Sequence, residues 1–225
     1  MSNSRPTAPA DTGFAERIKQ ETRAEHERAE RSDFVVALLD GRLDKNAYAE
    51  MVGQNYLVYS VLEQAARAQH DDPVAGRFVF DSLARRSALE ADLAWLHGSE
   101  WRDELRPLPS VERYLDRLRE VCFTWQGGFV AHHYTRYLGD LSGGQIIRSR
   151  LRAIYGMELD GVRFYVFDEI AKPKLFKDAY RRLLDEAPWD AAERDRVVAE
   201  VDLAFRLNRA VFDDLGRAAG LGPTH

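Results

Sequence analysis

The residues that bear most directly on chemistry lie in one segment, 134–145, which reads YTRYLGDLSGGQ. It has the character of a helix, yet it holds three glycines in six positions, Gly139, Gly143 and Gly144. Each glycine inside a helix costs roughly 1 kcal/mol relative to alanine. Thr135, Gly139 and Gly143 recur every four residues and share one nearly bare helix face. This pattern indicates either a broad, flat group lying against the backbone or a second helix packed closely.

A second candidate site lies near the N-terminus, where residues 18–30 also have a helical pattern. His26 and Glu30 are four residues apart and therefore share a helix face, with Lys19 two turns before His26. A neutral imidazole is a common metal ligand, and a nearby carboxylate can fix its tautomer. Taken alone, His26 is better explained as an ordinary surface or core histidine, and Glu30 as a solvated charge.

Taken together, the order and separation of these two motifs resemble those of the heme oxygenase family. The resemblance extends from about residue 14 to about residue 215 through four further segments, LDGRL (39–43), LEQA (62–65), FKDAYR (176–181) and AFRLN (204–208). It implies an all-α, single-domain fold in which heme b lies between the N-terminal helix and the glycine-rich helix. It also implies that heme is both cofactor and substrate, cleaved with O2 to biliverdin, carbon monoxide and ferrous iron. A ferredoxin or a flavin reductase would supply the electrons.

The resemblance assigns roles to residues of this chain. His26 is expected to bind the iron, with Glu30 as its partner. The expected catalytic residues are Asp140, Arg136, Gly139 and Gly143. Asp140 would organise a proton relay, with Arg136 pairing to it one turn away, although an ordinary helix ion pair is the alternative. The remaining expected heme-binding residues are Lys19, Lys177 and Arg181 with the hydroxyl of Tyr134 for the propionates, and Thr135, Ser142, Phe205 and Asn208 along the pocket wall.

The composition agrees with a helix-rich globular protein of 225 residues, 45% hydrophobic and 31% charged. A net charge of -5 gives no support for nucleic-acid binding, which usually leaves a basic footprint. The single cysteine, Cys122, excludes an internal disulfide and is expected to lie in the core. The sequence shows neither a signal peptide nor a membrane anchor of the kind that animal members often carry. We therefore expect a cytoplasmic protein of the bacterial type, and nothing in the sequence demands more than a monomer.

Helical periodicity runs through nearly the whole chain, with no convincing strand. Predicted domain boundaries are a disordered tail at 1–13, a heme oxygenase domain at 14–216 and a flexible tail at 217–225. Along the third helix Asn55 is the polar exception in an apolar stripe that also holds Tyr59. The predicted helices cover 14–31, a short segment ending at 41, one starting at 44, then 72–97, 110–126, 129–155, 168–186 and 190–216, with residues 162–166 as a loop.

Three other classes of protein are weighed against this interpretation. A di-iron bundle uses Glu-x-x-His pairs, and none of the six histidines has glutamate three positions before it. A thiamin-degrading enzyme of similar fold needs a reactive cysteine, for which Cys122 among apolar neighbours is poorly suited. A heme carrier or sensor could use the same pocket without turnover. Asp140 favours catalysis, because a carrier has no use for an organised proton relay.

Overall fold

In a computed structural model, which describes residues 13–222, the chain is built from helices and contains no strand in that range. The expected all-α, single-domain architecture is therefore confirmed. The eleven α-helices within this range are α1 (Phe14–Glu21), α2 (Arg23–Glu30), α3 (Asp33–Leu39), α4 (Lys45–Ala68), α5 (Arg86–His97), α6 (Trp101–Glu104), α7 (Pro109–Val121), α8 (Gln126–His133), α9 (Gly139–Tyr155), α10 (Pro173–Glu186) and α11 (Ala191–Ala218). None of the helices between residues 13 and 222 has the length and apolarity needed to cross a bilayer.

The two longest helices, α4 and α11, organise the core. α11 packs against α2, α3, α7 and α8, and α4 packs against α5 and α7. Both helices begin at an aspartate cap: Asp44 accepts the N–H of Ala47 at 2.9 Å, and Asp190 accepts the N–H of Glu193 at 2.8 Å. The two caps coincide with the helix starts predicted at 44 and 190. Cys122 is fully buried, also as predicted.

The segment predicted as one helix over 14–31 is two helices that meet at Thr22. The Thr22 hydroxyl donates to the carbonyl of Ile18 at 2.8 Å, and Thr22 itself leaves helical geometry at φ -99° and ψ 3°. A threonine hydroxyl that competes for a backbone carbonyl commonly bends or ends a helix. Lys19 and His26 therefore line the same cavity from two different helices.

Two predicted helix starts are wrong because distant carboxylates decide where the helices begin. Asp72 caps only a short turn, and Ala75–Phe78 and Asp81–Leu83 are 3-10 turns before α5. The N–H groups of Arg85 and Arg86, at the start of α5, both donate to Glu63 of α4, at 2.6 and 2.8 Å. Similarly, α7 begins at Pro109, and the backbone N–H of Ser110 donates to Asp214 rather than Ser110 acting as the cap.

The predicted glycine-rich helix over 129–155 is interrupted by one π-helical turn, Tyr134–Leu138, which joins α8 to α9. Such turns insert an extra residue into the helix and are frequent at functional sites. Gly127 and Gly128 lie inside α8, although the predicted helices left them as a break between residues 126 and 129. Added Cβ atoms there would come within 3 Å of Trp125 and other neighbours, so these glycines allow close packing.

The remaining differences are at helix ends. Residues 162–166 form a 3-10 turn, Arg163–Tyr165, where a loop was predicted, and α10 starts at Pro173 rather than 168. α11 continues to Ala218, two residues past the predicted end of the domain at 216. Most of the predicted N-terminal tail and residues 223–225 of the C-terminal one lie outside the described residues.

Candidate functional site

A cavity of about 320 Å³ lies between α2 on one side and the π turn with the start of α9 on the other. α11 closes it along one edge with Phe205 and Asn208. The structure brings nearly all of the predicted site residues to this one cavity. Those that line it are Lys19, His26, Glu30, Tyr134, Thr135, Arg136, Gly139, Asp140, Ser142, Gly143, Arg181, Phe205 and Asn208. Lys177 is the exception, since it does not contribute to the lining.

The three glycines of segment 134–145 have two different roles. A Cβ atom added at Gly139 or Gly143 would meet nothing within 4 Å, because the open side of each residue faces the cavity. A Cβ atom at Gly144 would lie 2.8 Å from Cδ1 of Tyr165, a buried ring from the turn before α10. Of the three, close packing is seen at Gly144 alone, and its neighbour is an aromatic ring from a 3-10 turn rather than a second helix. Gly139 and Gly143 keep one wall of the cavity flat and bare, and Gly144 allows an aromatic ring to pack against α9.

On the opposite wall, the half-exposed imidazole of His26 projects from α2. Its Nε2 lies 3.2 Å from Oε1 of Glu30, as the spacing predicted. Its ring packs against Phe205 of α11, with 5.1 Å between the ring centroids. Glu30 holds one ring nitrogen and leaves the other for a metal ion, which is the division of roles that a metal-bound imidazole needs.

A metal ion held by protein side chains alone has little support. Within residues 13–222, no group of three or more histidine, cysteine, aspartate or glutamate side chains is placed to hold one. A single histidine facing a flat backbone wall is instead suited to a metal ion that is already coordinated by a planar macrocycle. The cavity thus fits a metalloporphyrin on the evidence of its shape and its donor set.

A hydrogen-bonded network lies beneath the bare wall. The hydroxyl of Tyr59, on α4, donates to Asp140. Arg136 donates to Oδ1 of Asn55 at 2.7 Å and to Oδ1 of Asn208. The predicted ion pair between Arg136 and Asp140 is not made in the described structure, because side chains from α4 and α11 take up the guanidinium and the π turn alters the helix register. The sequence prediction of that direct pair was wrong.

The charge of Arg136 still acts on Asp140 through space. The Asp140 carboxyl faces the cavity, but the surrounding protein removes enough water that burial raises its pKa to about 6. The positive charges of Arg136 and Arg85 and the hydrogen bond from Tyr59 oppose that rise. Burial also raises the pKa of Tyr59 well above its ordinary value. Asp140 is therefore a carboxyl that can both hold and release a proton near neutral pH.

The cations expected at the open edge of the cavity each have an exchangeable partner. Nζ of Lys19 lies 3.3 Å from Glu16, and Nη1 of Arg181 lies 2.9 Å from Asp178 on its own helix. Nζ of Lys177 donates to Oγ of Ser142 at 3.0 Å, and so reaches the cavity rim through a residue that does line it. Exposed pairs of this kind contribute little to stability, so an incoming carboxylate can displace them at small cost.

Sequence reasoning did not place Asn55, Tyr59 or Tyr165 in the site. Asn55 had a usable signal, because it was the polar exception on the apolar stripe of α4. Tyr59 follows it one turn later on the same stripe and could have been inferred with it. Tyr165 had no such signal, since its role depends on how a non-helical turn packs against Gly144.

Comparisons with known proteins find the same family over nearly the whole chain. The model of the family described as heme oxygenase matches residues 12–214. Heme oxygenase 1 of the cyanobacterium Synechocystis sp. is 38% identical over 202 residues, covering 90% of this chain and 84% of that protein. Its crystal structure in complex with heme superposes with a TM-score of 0.86 at 36% identity, covering 93% of this chain and 97% of the other. Heme oxygenase from Leptospira interrogans superposes with a TM-score of 0.85 at 32% identity, covering 89% and 98%.

Proposed function

This chain belongs to the heme oxygenase family, and we propose that the cavity between α2 and α9 is where it binds and cleaves heme. The reaction is the oxidative cleavage of heme to biliverdin, carbon monoxide and ferrous iron with O2, and heme is both substrate and cofactor. One observation carries the assignment of the site. A single histidine faces a helix wall in which Gly139 and Gly143 carry no side chain, leaving room for a flat macrocycle.

We assign the heme contacts as follows. His26 binds the iron and Glu30 orients its imidazole. The backbone at Gly139 and Gly143 lies against the opposite face, and Phe205 supports the His26 ring. Lys19, Lys177 and Arg181 with the Tyr134 hydroxyl receive the two propionates, while Thr135, Ser142 and Asn208 complete the wall.

When bound, the heme iron supplies the activation of O2, and the ring itself is the group that is oxidised. The protein contributes a proton at one atom pair, the Asp140 carboxyl held by the Tyr59 hydroxyl. Arg136 keeps a positive charge beside this carboxyl, and Asn55 and Asn208 fix the guanidinium. With its pKa raised to about 6, Asp140 can take up a proton from solvent and hold it at the edge of the cavity beside Gly139 and Gly143. Gly139 and Gly143 offer no competing acid or base there.

We further propose that the electron donor is an acidic protein, a ferredoxin or a flavin reductase. The exposed side chains of Lys172, Lys174 and Arg182 form a basic surface at and just before α10, next to the edge where Lys177 and Arg181 lie. A positive surface at the cofactor edge would speed the encounter with an acidic donor. We also propose that the protein is a monomer in the cytoplasm; its thiol Cys122 is free and buried and requires no oxidising compartment, which agrees with that location.

The test is to add one equivalent of hemin and then a reductase system in air. We expect a histidine-ligated Soret band, its loss on reduction, and the appearance of biliverdin and carbon monoxide. His26→Ala should lose that ligation and most turnover, whereas His70→Ala, at an exposed histidine paired with Asp71, should match the parent protein. A stable complex that never degrades would point instead to a heme carrier, and unchanged ligation in His26→Ala would mean that the ligand is misassigned.

A further inference from the structure

Two buried side chains outside the cavity form a hydrogen-bonded pair that heme cleavage does not use. Nδ1 of His133, the last residue of α8, lies 2.9 Å from the hydroxyl of Tyr180 on α10. Their rings are nearly parallel, with 6° between the planes and 5.8 Å between the centroids. Only 2% of His133 and 1% of Tyr180 are exposed. An acid and a base are therefore held in direct contact in the core.

The environment fixes which partner carries the proton at rest. Burial lowers the pKa of His133 to about 3, so its imidazole is neutral and has one bare nitrogen. Burial raises the pKa of Tyr180 well above its ordinary value, so the phenol stays protonated. In the tautomer with its hydrogen on Nε2, His133 accepts the phenolic hydrogen at Nδ1.

The pair is connected to the heme pocket by aromatic rings in contact. The ring centroid of Tyr180 lies 6.4 Å from that of Tyr134, a residue that lines the cavity. A second route runs from His133 to Tyr137, with 4.3 Å between the centroids, and from Tyr137 to Tyr59, with 5.2 Å. Tyr59 in turn donates to the carboxyl of the distal network. An electron could therefore leave Tyr180 in short steps without movement of the backbone.

We propose that Tyr180 and His133 form a proton-coupled redox site, which takes one oxidising equivalent from the pocket when hydrogen peroxide reacts with bound heme. This inference rests on the proposed heme binding. Cleavage of the peroxide O–O bond would take two electrons, one from heme and one from Tyr180. One peroxide oxygen would leave as water with both peroxide protons, and the other would stay with the oxidised heme. As Tyr180 is oxidised, its O–H bond breaks and its proton moves to Nδ1 of His133. A later one-electron reductant restores the phenol, and His133 returns the proton.

The histidine makes this oxidation possible in a dry core. A phenol that loses an electron becomes a much stronger acid than an imidazolium, so the proton moves even to a base weakened by burial. Without an acceptor, the proton would stay on the oxidised phenol, which is a far stronger acid than an imidazolium. Transfer to His133 keeps the positive charge in the core but places it on the group that holds it at lower cost. Tyr48 provides the contrast. It is equally buried, but its hydroxyl donates to the backbone carbonyl of Gly161 at 2.6 Å, and that oxygen is no base.

The first test uses the heme-free protein. Long-range proton–nitrogen NMR of the histidines should show His133 with its hydrogen on Nε2 and a bare Nδ1. Tyr180→Phe should shift the Nδ1 resonance, because the hydrogen bond is lost. A hydrogen found on Nδ1 would overturn the proposal, since that nitrogen could not receive the phenolic proton. This result does not depend on whether heme binds.

The second test mixes the hemin complex with hydrogen peroxide and freezes it for EPR spectroscopy, after the Soret band has been recorded to establish heme binding. We expect Tyr180→Phe and His133→Leu each to lose most of the tyrosyl radical signal and to bleach heme faster. Tyr48→Phe should match the parent protein. An unchanged signal in Tyr180→Phe, or an equal loss in Tyr48→Phe, would overturn the proposal. A missing Soret band would instead contradict the proposed heme site.

Discussion

Replacing Gly139 with alanine should raise the stability of the heme-free protein while impairing its function. Gly139 has ordinary right-handed helical geometry, at φ -60° and ψ -50°, so alanine fits the backbone without strain. Alanine favours a helix interior by roughly 1 kcal/mol over glycine. A protein of 225 residues unfolds with an entropy of about 0.5 kcal/mol/K, so the melting temperature should rise by about 2 °C.

The same methyl group should weaken heme binding. The added Cβ would meet no protein atom within 4 Å and would project into the cavity, in the space left for the macrocycle. Forcing a methyl group into a filled space costs about 1–3 kcal/mol. That range corresponds to a loss of about 5- to 150-fold in heme affinity. Gly143→Ala should behave in the same way, because its open side faces the same cavity.

Gly144→Ala is the matched control on the same helix. It gains the same helix propensity, but its Cβ would lie 2.8 Å from Cδ1 of the buried ring of Tyr165. The cost of overpacking, about 1–3 kcal/mol, should place its melting temperature about 2–6 °C below that of Gly139→Ala. Differential scanning calorimetry of the heme-free variants and hemin titration measure both quantities. The reasoning is refuted if Gly139→Ala binds hemin as tightly as the parent protein, or if it melts as low as Gly144→Ala.

Three further predictions concern charged groups. Burial raises the folded-state pKa of Asp140 above its unfolded value, so the fold loses stability as pH rises through about 6 and the carboxyl becomes charged. Asparagine cannot ionise, so Asp140→Asn should increase stability more at pH 8 than at pH 4. Thermal melts at the two pH values would measure the difference. Burial of Glu200, which is 4% exposed, acts to raise its pKa, but hydrogen bonds with Arg117 and His132 more than offset that effect and lower the pKa to about 2. Its ion pair with Arg117 and its hydrogen bond with His132, whose pKa is lowered by burial, therefore stabilise the fold above the unfolded pKa and lose that effect as pH falls through about 2. Glu200→Gln should cost about 3 kcal/mol at pH 7, against well under 1 kcal/mol for exposed Glu120→Gln. Lys177→Ala should speed hemin release and change the ratio of biliverdin isomers, whereas exposed Lys174→Ala should do neither, as stopped-flow absorbance and chromatography of the products would show.

The sequence predicted the cavity better than it predicted the helices around it. In each of the two motifs, around His26 and around Gly139, the residues lie a few positions apart on one helix face, so their spacing indicated that they share a wall. That the two walls face each other was implied by the resemblance to heme oxygenases and not by the spacing. The helix starts at Arg86 and Pro109 could not be found in the same way. Each depends on a carboxylate from a distant part of the chain, Glu63 in one case and Asp214 in the other. Local capping patterns contain no information about such partners.

The distal network shows the same limit at a finer scale. A spacing of four residues predicted an ion pair between Arg136 and Asp140, because that spacing is close in a regular α-helix. The π turn removes the regularity, and the guanidinium reaches Asn55 and Asn208 instead. Polar residues on otherwise apolar helix faces were the signal that remained. They were visible in the sequence, but which charge they would hold depended on how α4, α8 and α11 pack together.

The cavity is built from groups that oppose the stability of the empty protein. Two bare glycines weaken the start of α9, and a carboxyl with a pKa near 6 carries a charge that its surroundings disfavour. A fold retains such features when a ligand compensates for them, because a molecule that binds only the native state stabilises it by an amount that grows with the logarithm of its affinity. Heme that fills the space above Gly139 and Gly143 would supply contacts that those residues forgo. The melting temperature should therefore rise on hemin binding by more in the parent protein than in Gly139→Ala, because the added methyl group weakens hemin binding.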